Sequence, residues 1–501
     1  MKIFTAPQIK ALDRRTIKEQ NLPTLELMER AAKAFTNWFS KRYDFNQPVQ
    51  VLCGIGDNGG DGLAIARLLY ERDYSVTVYV LQFSNKLTKD FKRNLESLRY
   101  RSVEIIYIEP GDKLPTLDTE AITIDAILGS GLSRPVEGWL GEFIKQVNEK
   151  IETVIAVDIA SGLFSDEHTE NVSILPKQTF CFELPKLAFF FSENYKRVGD
   201  WYVDTIQSSE QGIEETTTPY FYITPEMIAK VYRPRSKFVH KGTYGRAMLI
   251  VGSKGMMGAG LLAAKACLRS GVGLATVHVP QCGYTVAQTA IPELMVSVDK
   301  DINSFSEVPD MSYYNAVGVG CGVGESEATN NALRVFLENT DLPMVLDASA
   351  LNIIAKNNWH HLIPQNSIIT PHHGEFRRLF GETTNDFERN NLQRLKAKEL
   401  GIFIILKGAH SSIACPDGNC YFNSTGNPGM ATGGSGDVLT GILTAFLTQG
   451  YQPLEAALLG TYLHGLAGDL AAEHHGFESM IAGDIVNYLG KAFGKISQYK
   501  K

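Results

Sequence analysis

The chain has 501 residues, about three times a typical single domain, so two hydrophobic cores can form without help from disulfides. Hydrophobic residues make up 44% and charged residues 21%, the proportions of an ordinary globular protein. Forty-eight Lys and Arg against 55 Asp and Glu leave a net charge of −7, which argues against a broad cationic surface for nucleic acid or anionic lipid. Seven cysteines at long, irregular spacings read as reduced thiols rather than a disulfide scaffold. Cys415 and Cys420 lack a second pair, which argues against a zinc site. The N-terminus has no signal-peptide apolar run, and no apolar stretch reaches the ~18 residues of a membrane span. A cytoplasmic protein is expected.

The pattern predicts helix from Ile9 to Phe39, broken at Leu22-Pro23-Thr24, with an apolar stripe at helical spacing in LELMERAAKAFTNWF. PVQVLCGIG is a short strand running into glycines, and GLAIARLLYERD is the helix after it. SVTVYVL, VEIIYI, AITIDAI and TVIAVDI are further strands. Their near-continuous apolar character predicts a parallel sheet covered on both faces. Residues 207–219, QSSEQGIEETTTP, are polar with little to bury and mark the expected domain boundary. The pattern then restarts. RAMLIVGS, LATVHVP, AVGVG, PMVLDA, SIITP and IFIILKG are strands, GAGLLAAKACLRSG is a helix, and the chain ends helical over 437–468 and 481–491. Two α/β domains follow, at 1–215 and 220–501.

Three clusters fall at strand ends of the first domain, where open parallel sheets place their ligands. The first is Gly56-Asp57-Asn58-Gly59-Gly60-Asp61-Gly62, placed just before a helix. Its glycines permit positive φ or close backbone approach, and a helix start offers free N–H groups. A plain turn with an aspartate cap explains less of it, and two carboxylates would repel a pyrophosphate laid across it as in GxGxxG sites. Asp125 leads into Leu128-Gly129-Ser130-Gly131-Leu132, and Asp158 into Ala160-Ser161-Gly162. Together they suggest oxygens converging on a cation or a polyhydroxy ligand. Lys186, in LPKLAFF, either faces this site or is a surface lysine beside an apolar strand.

NGGDG at 58–62, DAILGSG at 125–131 and VDIASG at 157–162 resemble the YjeF N-terminal family of NAD(P)H-hydrate epimerases. Asp57 stands where that family carries asparagine, and Ala160 where it carries proline. The resemblance implies a Rossmann-like three-layer domain in which Asn58, Asp125 and Ser161 coordinate K+. It implies that Asp57, Asn58, Gly59, Gly60, Asp61, Gly129, Ser130, Gly131, Leu132, Ser133, Arg134, Pro135 and Asp158 bind the hydrated nucleotide. Asp61 is then the acid–base group, giving and taking a proton at the hydroxyl that epimerises.

In the second domain, Gly433, Gly434 and Gly436 precede Asp437 and an apolar helix. Backbone N–H groups there form an anion hole, and Asp437 beside it is placed to take a proton from a hydroxyl attacking phosphorus. A capped glycine turn explains the aspartate but not so many glycines. This loop, with GVGCGVGES at 318–326, LDASAL at 346–351, TPHHGEF at 370–376 and LKGAHS at 406–411, resembles the ribokinase-like ADP- or ATP-dependent NAD(P)H-hydrate dehydratases. Ser349 replaces that family's second aspartate. The resemblance implies that Ala259, Gly322, His372 and Asp437 contact the hydrated nucleotide, while Lys407, Gly408, Ala409, His410, Ser411 and Gly436 contact ADP with Mg2+. Asp437 is the implied base. His372 and His373 as loop histidines would otherwise simply face solvent.

The two resemblances together imply a bifunctional enzyme with small-molecule nucleotides as its partners, and two α/β domains of this size commonly assemble as a symmetric homo-oligomer. It would epimerise the R and S hydrates, NAD(P)HX, and dehydrate the S form to NAD(P)H with ADP, giving AMP and phosphate. A kinase with a phosphorylated product, or a nucleotide-binding protein without turnover, fits the glycine loop and aspartate equally well.

Overall fold

The computed structural model describes residues 1–84 and 86–500. Lys2–Thr218 with Asn385–Phe387 form one compact unit, and Met1, Pro219–Thr384 and Glu388–Lys501 the other.

The first unit runs α1 (Ala6–Glu19), α2 (Thr24–Phe39), β1 (Val49–Cys53), α3 (Asp57–Tyr70), β2 (Val76–Leu81), α4 (Lys89–Arg99), β3 (Glu104–Ile108), β4 (Ile122–Ala126), α5 (Gly138–Lys150), β5 (Val154–Val157), β6 (Gln178–Phe182), α6 (Tyr195–Val198), β7 (Asp200–Asp204) and α7 (Glu210–Glu215). Its seven strands pair in parallel in the order β3-β2-β1-β4-β5-β6-β7. The chain winds outward from β1 in both directions, so a crevice opens at the carboxyl ends of β1 and β4. Every residue of β1 and β4 is buried, which is why both read as unbroken apolar runs. The stripe of α2 buries Leu27, Ala31, Ala32, Phe35 and Phe39, and the Phe35 ring meets Phe180 of β6 edge-on at 5.6 Å. Each large side chain so buried contributes about 1.5–3 kcal/mol.

Two expectations change here. The glycine cluster is not a turn ahead of α3 but its first turns, and none of its glycines has positive φ. What they provide is closeness. A Cβ on Gly59 would lie 1.9 Å from the Gly54 carbonyl oxygen, and one on Gly62 would lie 2.6 Å from the Ala126 Cβ. Nor is 207–219 a loose tether. Ser209 caps α7, whose Gly212 packs on Leu12, and Lys2 Nζ donates to the carbonyls of Ile213 and Thr216 at 2.9 and 2.8 Å. Side chains add to this: Ser209 is buried and bonds to Glu19, and the Thr218 hydroxyl donates to the Ile3 carbonyl at 2.7 Å.

The second unit carries β8 (Tyr220–Tyr222), α8 (Pro225–Val231), β9 (Arg246–Ile250), α9 (Met257–Arg269), β10 (Leu274–Val279), α10 (Tyr284–Ala290), β11 (Met295–Val298), β12 (Ala316–Val319), α11 (Glu327–Glu338), β13 (Met344–Leu346), α12 (Ser349–Asn357), β14 (Ile368–Ile369), α13 (His373–Phe380), α14 (Asp386–Leu400), β15 (Phe403–Leu406), β16 (Ser412–Ala414), β17 (Cys420–Phe422), α15 (Ser435–Thr448), α16 (Pro453–His475) and α17 (Ala482–Gln498). Its sheet runs β11-β10-β9-β12-β13-β14-β15-β16-β17-β8. It is parallel from β11 to β15, then antiparallel through β16 and β17. The final helical stretch is broken at Gly450, whose φ of +80° ends α15, and Pro453 starts α16. The small residues of α9 serve both the sheet and a helix contact: Ala263 and Ala264 share a core with Leu249 and Val277, and a Cβ on Gly441 of α15 would lie 2.0 Å from the Ala263 carbonyl oxygen. All seven cysteines are free thiols. Among the described residues no helix is long and apolar enough to cross a membrane.

Candidate active sites

A cavity of about 590 Å³ opens in the first unit. Its walls include Asp57, Asn58 and Asp61 from the start of α3, residues 128–134 after β4, and Asp158 after β5. Gly129, Ser130, Gly131, Leu132, Ser133 and Arg134 thus all border it. Gly59 and Gly60 instead face into packing, against Gly54 and Met28, and Pro135 is not among the cavity walls. Asp125 and Ser161 lie buried beside it. The Ser161 amide donates to Asp125 Oδ2 at 2.8 Å and the Ser161 hydroxyl to Oδ1 at 2.6 Å. Asn58 Nδ2 donates to the Leu128 carbonyl at 3.0 Å, and the Leu128 amide donates to Ser161 Oγ at 2.8 Å. Burial pushes the Asp125 carboxyl up to about 6 despite these bonds, and no cationic side chain accompanies it. A buried carboxylate, a hydroxyl, an amide and a carbonyl make a hard-oxygen donor set suited to a monovalent cation.

The charges in the cavity are unevenly matched. Lys186 is fully buried, so the surface alternative falls. Its Nζ donates to Asp158 Oδ1 at 2.5 Å, to Cys181 Sγ at 3.1 Å and to the Leu184 carbonyl at 3.3 Å. Burial alone would lower the Lys186 pKa, but the Asp158 charge and these bonds outweigh it and raise it. Asp158 has a φ of +65°, held by the Phe182 amide donating to the same Oδ1 at 3.2 Å. Asp61 is half-buried in the cavity wall and its pKa is raised well above the carboxylate range. Burial is the main cause, and Asp158, Asp57 and Asp13 add to it. Asp13, on α1, is pushed up to about 6, again chiefly by burial and then by Asp158. No sequence motif marks Asp13: it sits in Leu12-Asp13-Arg14-Arg15, which reads as a charged helix face.

In the second unit Asp437 lies in the first turn of α15, where backbone N–H groups have no intrahelical partner. Gly434 caps that helix with φ +92°. Burial lifts the Asp437 carboxyl to about 6; a hydrogen bond from the Cys321 thiol and the charge of Lys407 pull it back. Asp347 is committed elsewhere. Lys407 Nζ donates to its Oδ1 at 2.8 Å, and the Thr440 hydroxyl to Oδ2 at 2.9 Å. Lys407 also lies 3.9 Å from Glu375. Its pKa is lowered by burial but raised more by Asp347 and Glu375, so it stays a cation. A Cβ on Gly436 would sit 3.2 Å from Lys407 Nζ, and one on Gly322 (φ +70°) would sit 3.1 Å from the Ala259 Cβ.

Asp437, Gly436, Lys407, Gly322 and Ala259 therefore share one neighbourhood. His372 joins it through Glu375: its ring Nδ1 accepts from the amides of Gly374 and Glu375 at 2.9 and 3.3 Å, capping α13, and the rest of the ring is half exposed. The histidine thus has a structural bond as well as an open edge. Gly408, Ala409, His410 and Ser411 form the turn between β15 and β16. There the Gly408 amide donates to Ser411 Oγ at 3.3 Å, and His410 Nδ1 lies 3.1 Å from the Asn423 carbonyl. Cys321, Thr440 and Glu375 are the partners that sequence reasoning did not single out. Among the described residues no three His, Cys, Asp or Glu side chains form a group able to hold a metal.

Comparison with known proteins matches this layout. Residues 24–188 match the family model of YjeF-related protein N-termini, and residues 247–491 that of NAD(P)H-hydrate dehydratases. The chain is 32% identical over 520 aligned residues to the bifunctional NAD(P)H-hydrate repair enzyme of Moorella thermoacetica, covering 98% of this chain and 96% of that one. A ribokinase-like superfamily protein of Enterococcus faecalis V583 is 26% identical with a TM-score of 0.51, covering 56% of this chain and 98% of that structure. The Bacillus subtilis ADP/ATP-dependent NAD(P)H-hydrate dehydratase, crystallised with ATP and Mg2+, is 30% identical with a TM-score of 0.48, covering 55% and 97%. The Rossmann-like first unit and ribokinase-like second unit thus stand in the order of a fused epimerase and dehydratase, and the chain belongs to the family of bifunctional NAD(P)H-hydrate repair enzymes.

Proposed function

We propose that the cavity of the first unit is the epimerase site and the Asp437 cluster of the second the dehydratase site, with ADP as phosphoryl donor. Asp437 carries this reading. It is a carboxyl with a pKa near 6, relieved of pairing because Asp347 occupies Lys407, and it stands beside the unpaired amides of a helix start. Ionised at neutral pH, it takes the proton from the C6 hydroxyl of the hydrate as that oxygen attacks the terminal phosphoryl group of ADP. The Gly436 and Asp437 amides and the Lys407 ammonium hold the phosphoryl oxygens. Magnesium, which needs only one or two protein carboxylates when carried on a nucleotide, supplies charge neutralisation there. AMP departs, electrons from the ring nitrogen then expel orthophosphate from C6 to give a C=N bond, and loss of a proton from C5 restores the dihydronicotinamide.

In the first unit Asn58, Asp125, Ser161 and the Leu128 carbonyl would hold potassium. The ion supplies a fixed positive charge that steadies the loop after β4. Residues 57–61 and 129–134 with Asp158 border or shape the nucleotide pocket, and Asp61 exchanges a proton with the C6 hydroxyl. The kinase alternative predicts a stable phosphorylated hydrate. Incubation with hydrated NADPH, ADP and Mg2+ followed by phosphorus NMR distinguishes them: orthophosphate with AMP supports dehydration, and a persistent phosphate ester overturns it.

A further inference from the structure

Six carboxylates wall the epimerase cavity: Asp13, Asp57, Asp61, Asp90, Asp158 and Glu183. Three are already engaged. Asp158 is paired with Lys186, Asp90 accepts from the Thr24 hydroxyl at 3.1 Å, and Glu183 accepts from the amides of Ile206 and Ser208 at 3.0 and 3.1 Å. Asp57 is exposed. Among the described residues, Asp13 and Asp61 are the two that are half-buried and accept no hydrogen bond from protein. They enter from different walls, Asp13 from α1 and Asp61 from α3.

We infer that Asp13 is a second catalytic residue of the epimerase, working with Asp61 as an acid–base pair across the bound ring. The inference rests on the reading of this cavity as the epimerase site. Inverting a carbon that bears a hydroxyl next to ring nitrogen proceeds either by opening the ring at the C6–N bond or by breaking the C6–O bond on one face and re-forming it on the other, and carboxyls on two walls suit the second route. The acid gives its proton to the departing hydroxyl, which leaves as water while the nitrogen lone pair forms a C=N bond. A second water then attacks from the opposite face and gives a proton to the base. One water leaves, one enters, and the proton has moved from one carboxyl to the other, so the balance needs no redox partner. A single carboxyl serves one face only.

The surroundings divide the roles. Asp61 is the more strongly raised of the two and feels Asp13 as a like charge. Asp13, at about 6, is mostly ionised at neutral pH. Asp61 is then the acid and Asp13 the base in one direction, exchanged in the other. Charged groups facing the pair are Lys10, Arg14 and Arg134, the Lys186–Asp158 pair, Asp57, Asp90 and Glu183.

The test uses the full-length protein and epimer exchange followed by chromatography. D13N should lose at least ~10²-fold in kcat, the usual contribution of a positioned proton-transfer group, with KM changed by no more than a few-fold. It should also lose the acidic limb of the wild-type pH profile. A D13N rate equal to wild type, or a loss confined to KM, overturns the inference while leaving the epimerase reading standing. Absence of exchange in the wild type removes that reading itself. Should D13N fail to fold, the wild type in ¹⁸O-water decides: one solvent oxygen gained per exchange supports two-sided water chemistry, and retention of the original oxygen overturns it.

Discussion

Replacing Lys186 with methionine removes the only cation bonded to Asp158 among the described residues and keeps most of the side-chain volume. Lys186 is 1% exposed, and its ammonium makes three bonds, of which the 2.5 Å contact with Asp158 is the shortest. After the change Asp158 retains only the Phe182 amide at 3.2 Å and the long thiol contact of Cys181. Breaking a buried pair from one side costs about 3–5 kcal/mol. The Asp158 side chain is 14% exposed, so cavity water recovers part of this, and the cost should fall near ~3 kcal/mol. For a unit of some 200 residues, where 1 kcal/mol shifts the midpoint by about 2–4 °C, the melting temperature should fall by about 6–12 °C. Because the Lys186 pKa is raised by folding, its stabilisation is fully present below the unfolded lysine value of about 10.4 and fades only above it. The K186M deficit should therefore be constant from pH 7 to 9. Urea unfolding followed by tryptophan fluorescence reads this directly, since Trp38, Trp139 and Trp201 lie in the first unit and only Trp359 in the second. D158N added to K186M should restore about half the loss by removing the unpaired charge. A K186M protein within 1 kcal/mol of wild type, or a double variant less stable than K186M, would refute the reasoning.

Changing Asp437 to asparagine should lower NADPH regeneration at least ~10²-fold while epimer exchange, measured on the same protein, keeps its rate. In the wild type, the regeneration rate should rise with pH through about 6, because the base works only when ionised; a profile flat from pH 5 to 7 removes Asp437 as the base. Gly320 has φ +125°, and a Cβ there would lie 1.9 Å from the Asp347 carbonyl oxygen, so G320A should cost about 1–3 kcal/mol or more and displace Asp347, read by calorimetry together with dehydratase kcat. D125A should abolish the potassium dependence of epimer exchange and leave ADP-driven dehydration of the preferred epimer intact, as exchange rates over a potassium series will report.

The strands that carry the site motifs were legible because parallel, doubly covered strands are unbroken apolar runs: VQVLC, ITIDA and VIAV are buried throughout. β7 was not, since Asp200–Asp204 begins and ends in exposed aspartates. The two- and three-residue strands β14, β16 and β8 are too short to show a period, and β14 was legible only through its neighbours in SIITP. Asp61 and Asp437 stood out by their glycine neighbours, although the glycines of α3 turned out to admit neighbouring backbone rather than bend their own. Asp13 was hidden for a physical reason, and Lys186 stayed between two readings. An aspartate among arginines or a lysine among phenylalanines shows its environment only after the chain has folded.

The central claim is that one chain joins an epimerase to a dehydratase, and complete conversion of an epimeric substrate mixture tests it most directly. An equal mixture of R and S hydrated NADPH, given ADP and Mg2+, should return to NADPH in two phases under purified wild-type protein. The preferred epimer goes first and the other follows at the exchange rate, until absorbance of the reduced nicotinamide accounts for the whole input. D61N should slow only the second phase. Conversion by the wild type that stops at half, beyond the slow spontaneous exchange seen without protein, would contradict the account.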